Sequence, residues 1–207
     1  MANKGSSRRW LNEHFSDTYV KQAKQAGYRS RAAYKLLELQ KKDSLFKPGM
    51  TVVDLGAAPG GWSQVVAQLV YPGGRVVALD VLPIEAVEGV EVIQGDFQDS
   101  AILSMLMDSL GGAKVDWIIS DMAPNLSGIN DIDIPRSLGL AELALDFAVR
   151  ILQPEGGLLV KVFYGEGFEA FLTEIKRYFQ RVVIRKPKAS RSRSSEAYIL
   201  ARNRRIR

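Results

Sequence analysis

The chain has 207 residues, 46% of them hydrophobic, enough for one globular domain with a full core. It holds no cysteine and a single histidine, His14, which excludes disulfides, zinc–thiolate sites, cysteine nucleophiles and a histidine-rich metal centre. The net charge of +5 conceals an uneven distribution: residues 1–47 carry 11 basic against 4 acidic side chains, 48–175 carry 5 against 18, and 176–207 carry 12 against 1. Trp10–Lys21 and Ser30–Lys42 have helical spacing, the second with Ser30 as N-cap and Ala33, Leu36, Leu37 and Gln40 on one side. Lys47-Pro48-Gly49 then punctuates the entry to a short apolar strand, Thr51–Leu55. The strand breaks at Gly56 and restarts after Gly60-Gly61 as a helix through Trp62, Val65, Val66 and Leu69. Pro72-Gly73-Gly74 announces a second strand, Arg75–Asp80, and Val90–Gln94 makes a third that ends in Gly95-Asp96-Phe97.

Ala101–Leu110 is helical until Gly111-Gly112, and Val115–Ser120 is a fourth strand followed by Asp121-Met122-Ala123-Pro124-Asn125. Pro135–Leu152 reads as a long amphipathic helix with Pro135 in its first turn. Pro154-Glu155-Gly156-Gly157 turns into a fifth strand, Leu158–Phe163; Phe168–Phe179 is a helix and Val182–Arg185 a sixth strand. Ala197–Ala201 follows too soon for a crossover helix and should pair antiparallel. The alternation predicts a doubly wound, mostly parallel sheet with right-handed crossovers. With no repeat or linker in view, residues 1–207 form one domain: a basic segment to about 47, a ligand-binding core over 48–175, and a basic segment from 176.

In such a sheet ligands sit outside the carboxyl ends of the strands. Asp54 lies within the first strand, Asp80 ends the second, and Asp96 and Asp121 follow the third and fourth. A glycine turn into a helix brings backbone N–H groups up to a ligand, but Asp-x-Gly-x-x-Pro-Gly-Gly differs from the dinucleotide pattern Gly-x-Gly-x-x-Gly. Asp80 suits ribose hydroxyls, Asp96 an adenine amino group, and Trp62 or Phe97 a purine face. Four acids discourage a pyrophosphate cofactor and tolerate a cationic one, favouring S-adenosyl-L-methionine over NAD. Taken singly, each acid is equally a helix N-cap or turn former.

Asp-Leu-Gly-Ala-Ala-Pro-Gly-Gly-Trp-Ser-Gln, Gly-Asp-Phe, Ser-Asp-Met-Ala-Pro-Asn and Val-Lys-Val-Phe resemble the FtsJ-type (RrmJ-type) ribosomal RNA 2′-O-ribose methyltransferases, and the likeness runs from about Trp10 to Ala201. It implies a class I, Rossmann-like methyltransferase sheet of seven strands with the last antiparallel. It implies methyl transfer from S-adenosylmethionine to a uridine 2′-hydroxyl of 23S rRNA, in the assembled large ribosomal subunit. By the same resemblance cofactor contacts fall on Gly60, Trp62, Asp80, Asp96 and Asp121, and a catalytic set on Lys35, Asp121, Lys161 and Glu196. No metal is implied.

Lys161 interrupts an apolar strand, where an ammonium is costly unless paired or at the open strand end, so it is either a structural ion pair or a working lysine. By themselves Lys35 would pass for a solvated charge and Glu196 for a salt-bridge partner of nearby arginines; the resemblance alone lifts both. A 2′-hydroxyl must lose its proton during or after attack on the sulfonium methyl. The expectation is that Lys161 accepts it, with Asp121 and Lys35 tuning and orienting and Glu196 holding Lys35 or the ribose. The basic ends should grip RNA through Arg8, Arg9, Lys21, Lys24, Arg29 and Arg31 on one side and Lys186, Lys188, Arg191 and Arg193 on the other. No stretch is apolar enough to span a membrane, and Met1–Arg9 lacks a signal-peptide core, so a cytoplasmic monomer is expected. The rival readings are an NAD oxidoreductase, separable by cofactor binding; a non-catalytic RNA-binding module or a methyltransferase of another RNA, separable by turnover; and a protein or small-molecule methyltransferase, which the basic ends disfavour.

Overall fold

A computed structural model describes residues 17–125, 127–191 and 194–205. His14, Arg8, Arg9, Arg193 and residues 10–16 of the first expected helix lie outside the described residues. The elements run α1 (Thr18–Gln25), α2 (Ala32–Asp43), β1 (Thr51–Leu55), α3 (Gly61–Val70), β2 (Arg75–Asp80), β3 (Val90–Gln94), α4 (Ser100–Leu110), β4 (Val115–Ser120), α5 (Asn130–Ile151), β5 (Leu152–Phe163), α6 (Phe168–Tyr178), β6 (Phe179–Arg185) and β7 (Glu196–Arg204). The strands form one seven-stranded sheet in the order β3-β2-β1-β4-β5-β7-β6. Neighbours from β3 to β5 pair parallel, while β7 runs antiparallel between β5 and β6.

Helices cover both faces, so the inner strands are apolar on both sides, as a parallel sheet requires. Val53, Leu55, Leu158, Val160 and Val162 pack toward α4, α5 and α6 with Leu106, Leu145, Phe147, Phe171 and Ile175. Val52, Leu159, Tyr198 and Leu200 pack toward α2 and α3 with Ala33, Leu36, Trp62 and Val66. Strand alternation therefore puts Asp54 and Lys161 on the α2/α3 side. The β5–β7 register sets Lys161 opposite Tyr198 and Phe163 opposite Glu196. The site depends on that register: a one-residue slip would turn Tyr198 to the other face.

Helix α1 runs on to Gln25 and β7 to Arg204, past the expected Lys21 and Ala201, and four further boundaries depart from the sequence expectation. Ser30 is not the N-cap of α2; Arg31 holds that position without a side-chain bond. Ser30 sits instead against α3, where a Cβ on Gly61 would collide with its hydroxyl. Gln40 accepts from the backbone N–H groups of Leu45 and Phe46 at 2.8 and 2.9 Å, and with Leu37 it is only half-buried; Leu39 takes the buried place. Helix α5 starts five residues before Pro135, because Asp133 folds the preceding loop onto the first turn. Its carboxylate accepts from the N–H groups of Ser127 and Gly128 (2.8 and 2.9 Å) and from the Ser127 hydroxyl (2.9 Å). Pro135 is thus inside the helix, where its missing N–H leaves the carbonyl of exposed Asp131 to water.

Strand β5 starts at Leu152, and the expected Pro154–Gly157 turn is a bulge within it. Val115 pairs with Leu152 and Trp117 with Gly157, leaving Gln153–Gly156 opposite Asp116 alone. Gln153 donates to the Asp116 carboxylate across this bulge, and Glu155 adopts φ 70. Strand β6 likewise begins at Phe179, whose ring is fully buried.

Candidate active site

At the carboxyl end of β4 the chain leaves the sheet at Asp121, and five further polar side chains, from β5, β7, α2 and the β6–β7 loop, link to it in series. Lys161 reaches from β5, only 7% exposed; its Nζ donates to the Asp121 backbone carbonyl and lies 3.1 Å from Oδ1 of the same residue. The Tyr198 hydroxyl, from β7, donates to Asp121 Oδ1 at 2.7 Å. Lys35, from α2, donates to the Tyr198 hydroxyl at 3.2 Å and pairs with Glu196 Oε1 at 2.6 Å. Ser190 donates to the same Glu196 oxygen at 2.7 Å. The result is one continuous chain, Lys161–Asp121–Tyr198–Lys35–Glu196–Ser190.

Lys35 is therefore no solvated charge, and Glu196 pairs with Lys35 instead of with an arginine. Burial works to raise the Asp121 carboxyl, but the Lys161 and Lys35 charges outweigh it, so Asp121 titrates below the ordinary carboxylate range. Tyr198 is driven well above its ordinary value, first by burial and then by the negative charges of Asp121 and Glu196. It remains a protonated hydrogen-bond donor across any working pH.

Tyr198 and Ser190 are the members that sequence reasoning missed. A signal for Tyr198 was present: two residues after Glu196 on a strand, it shares that residue's face. Ser190 carried none, since its position depends on the loop between β6 and β7.

Two cavities open on this chain. One, of about 840 Å³, is lined by Arg31, Lys35, Lys161, Arg191 and Glu196 on its polar side and by Ile134 and Phe163 on its apolar side. The other, of about 480 Å³, lies over the ends of β1 to β4 and is lined by Gly56, Asp80, Leu82, Asp96, Phe97 and Asp121. Ala123, two residues past Asp121, lines both. Of the residues expected around a cofactor, Asp80, Asp96 and Asp121 thus share one cavity. Asp80 also organises it, accepting from the N–H groups of Ala58 and Leu82 at 2.8 Å each. Asp96 accepts from the Gln98 N–H at 2.9 Å.

Gly60 caps α3 with φ 103, beneath Arg29, Ile84 and Val87 and outside that lining. The Trp62 indole is 3% exposed, donates to the Ala32 carbonyl at 2.8 Å and packs on Tyr198 at 5.6 Å. It cannot cover a purine in the cavity, which corrects the expectation from sequence; Phe97 lines the cavity and keeps that possibility. Arg29 is a second correction. Its guanidinium is spent on the carbonyls of Pro59, Glu85 and Ala86 at 3.2, 2.6 and 2.6 Å, stapling the β2–β3 loop to the turn after β1 instead of facing RNA.

Gly56 has φ +74, and a Cβ there would strike Met122 Cγ and crowd the Met122 backbone. Gly56→Ala is expected to cost roughly 1–3 kcal/mol of stability from backbone strain and overpacking. It should also narrow the smaller cavity; urea unfolding and methyl-donor binding measured together would check both effects.

A doubly wound sheet with an antiparallel β7, and two cavities that share Ala123 just past the end of β4, is the architecture of a Rossmann-like methyltransferase. The FtsJ-like methyltransferase profile matches residues 28–204. The chain is 61% identical to the ribosomal RNA large subunit methyltransferase E of Alkalilimnicola ehrlichii over 196 residues, 95% of this chain and 94% of that one. It is 57% identical to the protein of the same name from Cellvibrio japonicus over 202 residues, 98% and 96% of the two chains. A Plasmodium falciparum structure described as that of a ribosomal RNA methyltransferase superposes with a TM-score of 0.79 at 29% identity, covering 87% of this chain and all of that one. The chain belongs to the FtsJ-like methyltransferase family, and the use of a methyl donor follows from that membership. Among the described residues no helix is long and apolar enough to cross a membrane, and no group of three or more His, Cys, Asp or Glu side chains is placed to hold a metal.

Proposed function

We propose that this chain transfers a methyl group from S-adenosylmethionine to a uridine 2′-hydroxyl of 23S rRNA in the assembled large ribosomal subunit. The observation that carries the reading is the Lys161–Asp121 pair, which joins the lining of the larger cavity to that of the smaller one, with Ala123 in both. The names of the relatives support the large-subunit RNA as substrate. The smaller cavity fits the methyl donor chemically. It offers carboxylates to hydroxyl, amino and sulfonium groups, an aromatic wall in Phe97, and glycines at two turns, Gly56 and Gly95, where a Cβ would collide. Asp80, Asp96, Phe97 and Asp121 would hold it, with the backbone around Gly60 and Trp62 setting the start of α3. When bound, S-adenosylmethionine supplies an electrophilic methyl on a positively charged sulfur.

The chain's own part is to position the ribose and to take a proton. A bound 2′-hydroxyl beside Lys161 gains from being held at attack distance. With its lone pair free, Lys161 Nζ would accept the hydroxyl proton as the O–CH₃ bond forms and the S–CH₃ bond breaks, leaving the donor as a neutral thioether and Lys161 as an ammonium next to Asp121. The carboxylate at 3.1 Å and the backbone carbonyl are already arranged to receive that charge, so they stabilise the state after proton transfer. Tyr198 orients Asp121, while Lys35, fixed by Glu196, offers N–H donors to the ribose or its phosphate. Arg191 lines the larger cavity and, with Lys186 and Lys188 of the same β6–β7 loop, would serve as a phosphate contact, while Arg31 in that lining is held by Asp17 and the Ala189 carbonyl. Specificity then comes from the fold of the RNA and a splayed ribose.

The test is transfer of labelled methyl to naked 23S rRNA, to large subunits from cells lacking this protein, and to DNA. Label is expected on subunit RNA as a 2′-O-methyl nucleotide. Tight S-adenosylmethionine binding with no transfer to any of them would reduce the chain to a binding module or redirect it to another RNA.

A further inference from the structure

The end of the sheet opposite the active site carries a second polar cleft, of about 240 Å³, built from residues of three elements that the proposed chemistry does not use. It is lined by Lys42, Asp43 and Ser44 at the end of α2, by Arg181 and Val183 of β6, and by Leu200 and Arg202 of β7. Because β7 runs antiparallel, its carboxyl end lies at the amino ends of the parallel strands. Glu196 is in the active site and Arg202 six residues along, so the two sites stand about 20 Å apart at ~3.3 Å per residue.

The cleft has more positive charge than its own carboxylate can balance. Asp43 is fully taken by Arg185, which grips both oxygens at 2.8 and 2.7 Å from the half-buried flank of β6. Arg202 donates to the Asp43 carbonyl, closing the end of α2, and its guanidinium lies 5.4 Å from the Trp117 ring centre. Lys42 and Arg181 are exposed at the mouth, and among the described residues neither makes an ion pair or a side-chain hydrogen bond. Burial holds Arg202 below its ordinary value, and the neighbouring charges of Arg181 and Arg185 add to this against Asp43. Three cations around a carboxylate already neutralised by a fourth make a site that lacks an anion. Guanidinium forks with N–H groups left over are suited to phosphate oxygens.

We propose that this cleft binds a backbone phosphate of the RNA substrate, with Lys42, Arg181 and Arg202 as its contacts. The inference rests on the RNA reading given above and extends it. The RNA passes over the β6–β7 edge and is held at both ends of the sheet. A short strand seated in the active-site cleft cannot reach the second site, while a folded RNA or subunit can. The cleft therefore contributes to choosing a large, structured acceptor without reading its bases.

The experiment compares wild type with Lys42→Glu/Arg181→Glu and with Arg181→Lys. Equilibrium binding of a long 23S rRNA transcript and of a short single-stranded fragment is measured across a salt series, with kcat and KM for large subunits. In the double variant, binding of the long RNA is expected to weaken about tenfold or more. Its salt slope should fall by roughly 0.7–0.9, one phosphate contact's worth. The short fragment, kcat and the melting temperature should stay near wild type, and Arg181→Lys should keep most of the affinity. Inorganic phosphate at millimolar concentration should compete for the long RNA only where the cleft is intact. Equal loss on the short fragment would overturn the proposal, since it would mean a general charge effect. Unchanged long-RNA affinity and slope would overturn it as well, and wild type binding no long RNA would do the same. Methyl transfer with unchanged variant binding removes the second site and leaves the activity standing. Weakened binding without any wild-type transfer removes the activity and leaves the site.

Discussion

Lys161→Ala is expected to lower kcat for methyl transfer on the order of 10²–10⁴-fold, the range that a positioned general base supplies. Much of the KM for the RNA should survive, because the larger cavity keeps Arg31, Lys35 and Arg191. The expectation follows from placement: Lys161 is almost wholly buried, its Nζ is held by Asp121, and it borders the cavity that would take the ribose. Alanine removes both the proton acceptor and the cation that keeps Asp121 ionised, so Lys161→Arg is the sharper variant. Arginine preserves the charge beside Asp121 but stays protonated at any working pH. Lys161→Arg should therefore lose kcat nearly as far as Lys161→Ala while keeping S-adenosylmethionine and RNA binding. A Lys161→Arg enzyme with wild-type kcat would show that Lys161 only holds charge, and the proton would then have to leave to water.

How much of this site could be read from the chain depends on whether the information is local. The turn after β1 and the acids at the ends of β2, β3 and β4 were legible because period, glycine turns and strand-end position are properties of short segments. Antiparallel β7 was legible from the short connection before it. Lys35 and Glu196 were not legible from their neighbours. They lie more than 160 positions apart in sequence and meet only because α2 crosses β5 and β7 on one face of the sheet. The resemblance gave them; local pattern would have discarded both.

The same limit explains the misreadings. Arg29 looked like one more cation of a basic end, and only the fold brings the carbonyls of residues 59, 85 and 86 under it. Trp62 looked like a ligand platform, and only the packing of α2 on α3 supplies the Ala32 carbonyl that turns its indole inward. The early start of α5 was written locally in Asp133, but a proline six positions into the helix is a louder signal than an acid reaching backwards.

Asp54 gives the second large effect, on stability. It is fully buried in β1 on the α2/α3 side, with Oδ2 accepting from the Ser63 hydroxyl at 2.6 Å and Oδ1 without a partner. Burial pushes its carboxyl up to about 7, against the Ser63 hydrogen bond and with help from the negative charges of Asp121 and Asp80. In the unfolded chain the same group titrates near 4. Between these values the folded protein holds a proton that the unfolded chain has released, so stability falls as pH rises from about 4 through 7. The expected loss from this one group is about 3 kcal/mol between pH 5 and 8. Asp54→Asn matches the neutral acid in shape and cannot titrate. Its own amide N–H groups need acceptors that Oδ1 lacks, so it should be less stable than wild type at pH 5. It should then lose far less on going to pH 8, and the gap between the two proteins should close or reverse. Urea unfolding of both at pH 5, 6, 7 and 8 measures the difference directly, and other titrating groups cancel between the pair. Parallel stability curves for wild type and Asp54→Asn would mean that Asp54 is ionised in the folded protein throughout, its charge balanced inside the β1–α3 turn.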